Sequence, residues 1–117
     1  MTKSIKDRVE DIILSTAQFR VLVEVPGYEL RKGIEVALFK HEKEYTAVHY
    51  VPSFIGKAKG TRLQGSGKTE ESAAKSLARI IGYRANSLEK LSTINKLNAE
   101  LKNELQYFNS IMVKNNL

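Results

Sequence analysis

The sequence predicts an α+β domain: a three- to four-stranded antiparallel sheet covered by helices, with a long C-terminal helix. Two observations carry this. Between residues 19 and 51, β-branched and aromatic residues recur at every second position in short runs broken by turn residues. On either side of that region, apolar residues recur three and four apart, the spacing of one helix face.

In chain order, Ile5, Val9, Ile12 and Ile13 fall on one stripe of a short amphipathic helix over residues 3–16. In "FRVLVEV" (19–25), Phe19, Val21, Val23 and Val25 alternate with Arg20, Leu22 and Glu24, and the run stops at Pro26-Gly27, which predicts a strand and a turn. "GIEVALFK" (33–40) and "YTAVHYV" (45–51) repeat the pattern around the charged "HEKE" (41–44), so a three-stranded meander is the simplest arrangement. Pro52 stops the third strand, and "TRLQ" (61–64) adds a short fourth at the edge.

"GSGKT" (65–69) has the ending of a phosphate-gripping loop, but the glycine needed five residues before Gly67 is replaced by Arg62. The stretch reads instead as a turn into a helix capped by Thr69, with Glu70 and Glu71 favouring the helix dipole. Ala73, Leu77, Ile80 and Ile81 form the apolar stripe of that helix, which Gly82 terminates. Asn86 or Ser87 then caps a last helix, with Glu89 in capping-box register after Asn86.

In that last helix Leu88, Leu91, Ile94, Leu97, Leu101, Leu105, Phe108 and Met112 step by three or four, close to a coiled-coil seam. Such a helix would span roughly 40 Å at 1.5 Å per residue, more than the roughly 35 Å width of a compact chain of this size. The expectation is one domain over residues 1–117, with an α-β-β-β-α body over 1–86 and a homodimerising helix over 87–115. Its pairing residues would be Leu91, Ile94, Leu97, Leu101, Leu105 and Phe108. The alternative is a seam folded back on the chain's own sheet.

The chain carries a formal charge of +6 and no cysteine, hence no disulfide, thiolate nucleophile or cysteine zinc site. No apolar run approaches the roughly 18 residues of a membrane span, and charges are scattered through the first fifteen residues, so a cytoplasmic protein without targeting is expected. Residues 1–44 are charge-neutral, and residues 45–69 contain no acid at all. There Lys57, Lys59, Arg62 and Lys68 stand among four glycines, and Lys75 and Arg79 follow on the next helix. These six are the candidate phosphate-binding residues, for a nucleic acid or a nucleotide. The opposing reading is a solvated basic loop.

Catalysis lacks ingredients. His41 and His49 are the only histidines, Asp7 and Asp11 lie in the first helix, and no His–carboxylate–nucleophile spacing is present. His41 with Glu42 and Glu44 reads as a charged hairpin tip rather than a metal site, and His49 as a hydrogen-bonded sheet residue. No catalytic residue, metal or cofactor is expected. Phe39, Tyr45 and Tyr50 are candidates for a base-stacking surface, with core packing as the alternative.

Two family resemblances bear on residues 45–81. Gly65, Gly67, Thr69, Ala73, Leu77 and Ala78 sit where the double-stranded-RNA-binding domain has its turn, cap and helix-packing residues, although Glu70 and Glu71 stand at the positions of that family's paired lysines. The same region resembles the G-x-T-x-E-E-x-A helix start of HicB-type antitoxins through Gly67, Thr69, Glu71 and Ser72. The first resemblance implies RNA binding; the second implies inhibition of a small RNA-cleaving toxin. The sequence thus predicts a small non-enzymatic binding protein for a phosphate-bearing ligand, with a protein inhibitor of a nuclease or host-defence effector, phage or mobile-element borne, as the alternative.

Overall fold

A computed structural model of the chain describes residues 18–53 and 60–115. The helix expected over residues 3–16 lies outside them, as do Lys57 and Lys59. The described chain runs β1 (Gln18–Leu22), β2 (Tyr28–Leu30), β3 (Ile34–His41), β4 (Glu44–Val51), β5 (Thr61–Gly67), α1 (Glu70–Thr93), α2 (Ala99–Ile111) and β6 (Met112–Lys114). The expected α+β architecture is present: a four-stranded antiparallel sheet in the order β1-β3-β4-β5, with helices against it. A second sheet, absent from the sequence expectation, pairs β2 with β6.

Period-two alternation fixes the faces. Ile34, Val36 and Leu38 of β3, Ala47 and Val51 of β4 and Leu63 of β5 point to one side and form the core with α1. On β1 the core face is the one carrying Leu22, which packs against that cluster. Phe19, Val21 and Val23 therefore face the other way, exposed at 77%, 57% and 82%. Only Val25, beyond the last β1–β3 pair, returns to the core.

The fourth strand is longer than "TRLQ". It continues through Gly65 and Gly67, which pair with Ala47 and Tyr45. These glycines are strand residues and not a turn because α1 lies directly on them. A Cβ at Gly65 would stand 2.3 Å from the Leu77 nitrogen, and one at Gly67 would stand 2.6 Å from the Ala73 nitrogen.

Thr69 caps α1 as expected. Its hydroxyl accepts from the Ser72 amide and the Ser72 hydroxyl accepts from the Thr69 amide, each at 3.0 Å, with Glu70 and Glu71 in the first turn.

The helix boundaries further on correct the sequence expectation. Gly82 does not stop α1: it is buried mid-helix, where a Cβ would come within 3.1 Å of the Pro26 carbonyl oxygen. Asn86 and Ser87, expected as caps, are likewise interior. Ala73, Leu77, Ile81, Ala85 and Leu88 make one continuous buried stripe, so the long helix begins at Glu70 and ends at Thr93. It ends where Asn95 takes a left-handed φ of 55°, with the Lys96 amide closing onto the Leu91 carbonyl at 3.0 Å. Asn98 then opens α2 by accepting the Leu101 amide at 2.8 Å.

The seam expected to pair two chains is consequently broken, and most of it is used within the chain. Phe108 is 1% exposed, and Leu97, Leu101 and Leu105 pack against the same core. Leu91 is half-buried and Ile94, at the helix end, is exposed. Glu104, buried on α2, is held by a two-pronged bond from Arg84 of α1 (3.1 and 2.8 Å), which ties the helices together.

Candidate nucleic-acid interface on the outer sheet face

The sheet face turned away from α1 is built from alternating residues of four strands. Tyr50 of β4 and Arg62 of β5 are directly opposite partners on it, Val48 faces Gln64 and Thr46 faces Ser66. Tyr50 is 54% exposed, and Arg62, Gln64 and Ser66 are exposed too. An exposed phenol ring and an exposed guanidinium at opposite positions of neighbouring strands supply a flat surface for a base and a charge for a phosphate.

The other aromatic candidates are placed differently. Tyr45 lies on the core side and packs there, with the Lys40 ammonium 6.0 Å from its ring centroid, while Phe39 shares the outer face but is buried. Tyr50 is thus the one of the three that offers its ring.

Of the six cations singled out from the sequence, four are described, and the structure divides them. Arg62 is on the outer face. Lys68 is exposed at the junction of β5 and α1. Lys75 and Arg79 line a groove of about 640 Å³ on the opposite side, between α1 and Arg20, Leu22 and Glu24 of the β1 segment. Lys75 is paired with Glu71 at 3.2 Å, an exposed i,i+4 contact that contributes little. Arg62, Lys68 and Arg79 have no ion pair among the described residues, whereas Arg84 and Lys114 are engaged by Glu104 and Glu89.

The histidines behave as structural residues. His41 is exposed at the β3–β4 hairpin, where it pairs with Glu44 and Glu42 takes a φ of 41°. No group of three or more histidine or acidic side chains able to hold a metal is found among the described residues.

His49 is buried where β4 leaves β3: pairing ends at Ala37–Val48, and beyond it His49 Nδ1 donates to the Glu35 carbonyl at 2.8 Å. Nε2 then accepts from the Tyr107 hydroxyl of α2 at 2.7 Å, with the rings stacked at 5.7 Å. Burial pulls the imidazole below its ordinary value, and the Glu35 carbonyl and carboxylate only partly oppose this.

A sign follows. Because the unfolded chain binds the His49 proton more readily, this contribution to stability is complete above about pH 6.5 and is lost as pH falls below it. Urea midpoints should therefore fall on acidification from pH 7.5 toward 5.5, and His49→Gln should show a shallower fall. Parallel pH profiles of the two proteins would contradict this.

No protein-family model, curated protein or solved structure matches the chain. Among the described residues no helix is long and apolar enough to cross a membrane.

Proposed function

We propose that this chain is a small, non-enzymatic, cytoplasmic binding protein for a phosphate-bearing ligand, a nucleic acid or a nucleotide, held on the outer sheet face. The observation that carries the reading is the Tyr50–Arg62 pair: an exposed ring and a cation without an ion pair among the described residues, on neighbouring strands and turned the same way. Stacking on an exposed aromatic is tolerant of base identity, and an unpaired guanidinium gives up little when it meets a phosphate. Arg62 also belongs to the acid-free stretch over residues 45–69, so no carboxylate from that stretch competes for it.

The two side chains predict separable effects on binding to a fluorescent single-stranded oligonucleotide as salt is varied. Arg62→Ala should reduce the slope of log affinity against log salt by about 0.7, one phosphate contact. Tyr50→Ala should weaken binding by about 1–3 kcal/mol with little change of slope. Unchanged affinity and slope in both variants would remove this face from the site.

A second reading makes the chain a protein inhibitor of a nuclease or host-defence effector, in line with the HicB-type resemblance. The observation favouring it is the apolar exposure of Phe19, Val21 and Val23. A copurifying protein that stays bound as salt is raised would favour it over the nucleic-acid reading.

A further inference from the structure

We propose that the free edge of β1 is a self-pairing surface through which two copies of the chain join their sheets antiparallel, about a two-fold axis at Leu22. The inference does not rest on the ligand reading. β1 pairs with β3 along one edge, from Gln18–Leu38 to Leu22–Ile34, and no strand lies on its other edge among the described residues. Exposed edges are ordinarily blunted by lysine, proline or a bulge, because their unpaired N–H and C=O groups template association. Gln18–Leu22 contains no lysine or proline and a single charged residue, Arg20, and the outward residues over 19–23 are Phe19, Val21 and Val23.

The charges of the same segment point to the occupant. Arg20 and Glu24 are exposed and without an ion pair among the described residues. Four residues apart on an extended chain they are about 13 Å from one another, too far to pair. In an antiparallel duplicate centred on Leu22, each Arg20 falls opposite the second copy's Glu24, so two opposite-charge pairs form at once. Each Val21 falls opposite the second copy's Val23, a β-branched pair of the kind that stabilises neighbouring strands. Val23 and Glu24, which lie beyond the last β1–β3 pair and have no strand partner among the described residues, gain one. The segment is thus complementary to itself in charge and in shape, which is what a two-fold interface requires.

Antiparallel partners keep matching faces on the same side of a sheet. The two α1 helices would therefore stand on one face of the joined sheet. The grooves between β1 and α1 would open toward each other across the axis, with Lys75 and Arg79 of both copies along one trough.

Charge exchange tests this directly, using sedimentation equilibrium on the full chain at micromolar concentration. The wild type should give about 26.4 kDa, two copies of the 13.2-kDa chain. R20E and E24R should each set like charges opposite one another and weaken association about tenfold or more. The double variant R20E/E24R should restore it, since both pairs reform with signs reversed. Both positions are exposed, so circular dichroism should show native folding throughout. A wild type of one-chain mass, a dimer indifferent to R20E and E24R, or a double variant that fails to reassociate would each overturn the proposal.

Discussion

Truncating Phe108 to alanine is expected to cost about 3–5 kcal/mol of folding stability, among the largest effects of any single side chain here. The ring is 1% exposed, packed on α2 against the core that α1 and the sheet share, and edge-on to Tyr107 at 5.7 Å. Its neighbours are held by strands and by the Arg84–Glu104 tie, so the space it leaves can collapse only in part. The form of the loss matters as much as its size. If Phe108 belonged to a seam between chains, the variant's loss of urea midpoint relative to wild type would change with protein concentration. Folded inside its own chain, it should lower the midpoint by the same amount relative to wild type at every concentration. A loss under about 1 kcal/mol, or one that appears only on dilution, would contradict this placement.

Gly65→Ala is expected to destabilise by about 3 kcal/mol or more, at the upper end for overpacking. One methyl group is responsible. It would meet the Leu77 nitrogen at 2.3 Å and the Leu77 Cα and Ser76 carbonyl carbon at 2.8 Å, all backbone atoms of α1 that cannot rotate away. Relief requires lifting the helix off β5, and Ala73 and Leu77, both fully buried, would lose contact with the sheet. The adjacent Ser66→Ala, on the exposed outer face, is the control and should stay within about 0.5 kcal/mol of wild type. Equal urea midpoints for the two variants would show that α1 does not sit on Gly65.

These two positions also show what was legible in the sequence. The alternation in residues 33–40 and 45–51 and the charged turn between them located β3 and β4 closely, because strand periodicity and turn chemistry agreed there. Thr69 was legible as a cap because a hydroxyl followed by two acids is a local signal. Gly65 and Gly67 were not legible as strand residues, since a glycine reads as a turn unless the helix that needs its missing side chain is known. Gly82 misled for the same reason: its role is contact with the Val25–Pro26 turn and not a left-handed stop.

The apolar seam after Leu88 misled in a different way. Its spacing runs unbroken through Asn95 and Asn98, and only the left-handed φ at Asn95 and the cap at Asn98 divide it. Asparagine supports helix, turn and cap alike, so local chemistry alone does not choose. The β2–β6 pair was out of reach because each strand is three residues long and they meet from opposite ends of the described chain.

For the candidate site, Arg62 stood out by its acid-free surroundings and Tyr50 by its position in an aromatic strand. That they stand opposite one another depends on the β4–β5 register, which residues 52–60 connect and which no local pattern sets. Lys75 and Arg79 looked like part of the same basic patch in sequence, yet the sheet lies between them and Arg62.

Whether the Tyr50–Arg62 face receives a phosphate-bearing ligand is tested by the wild type's own binding curve for a single-stranded oligonucleotide, measured at about 50 mM and about 200 mM salt. Binding at the lower salt concentration that weakens as salt is raised is expected. No binding at either concentration, to oligonucleotides or to free nucleotides, would contradict the claim that the Tyr50–Arg62 face receives a phosphate-bearing ligand.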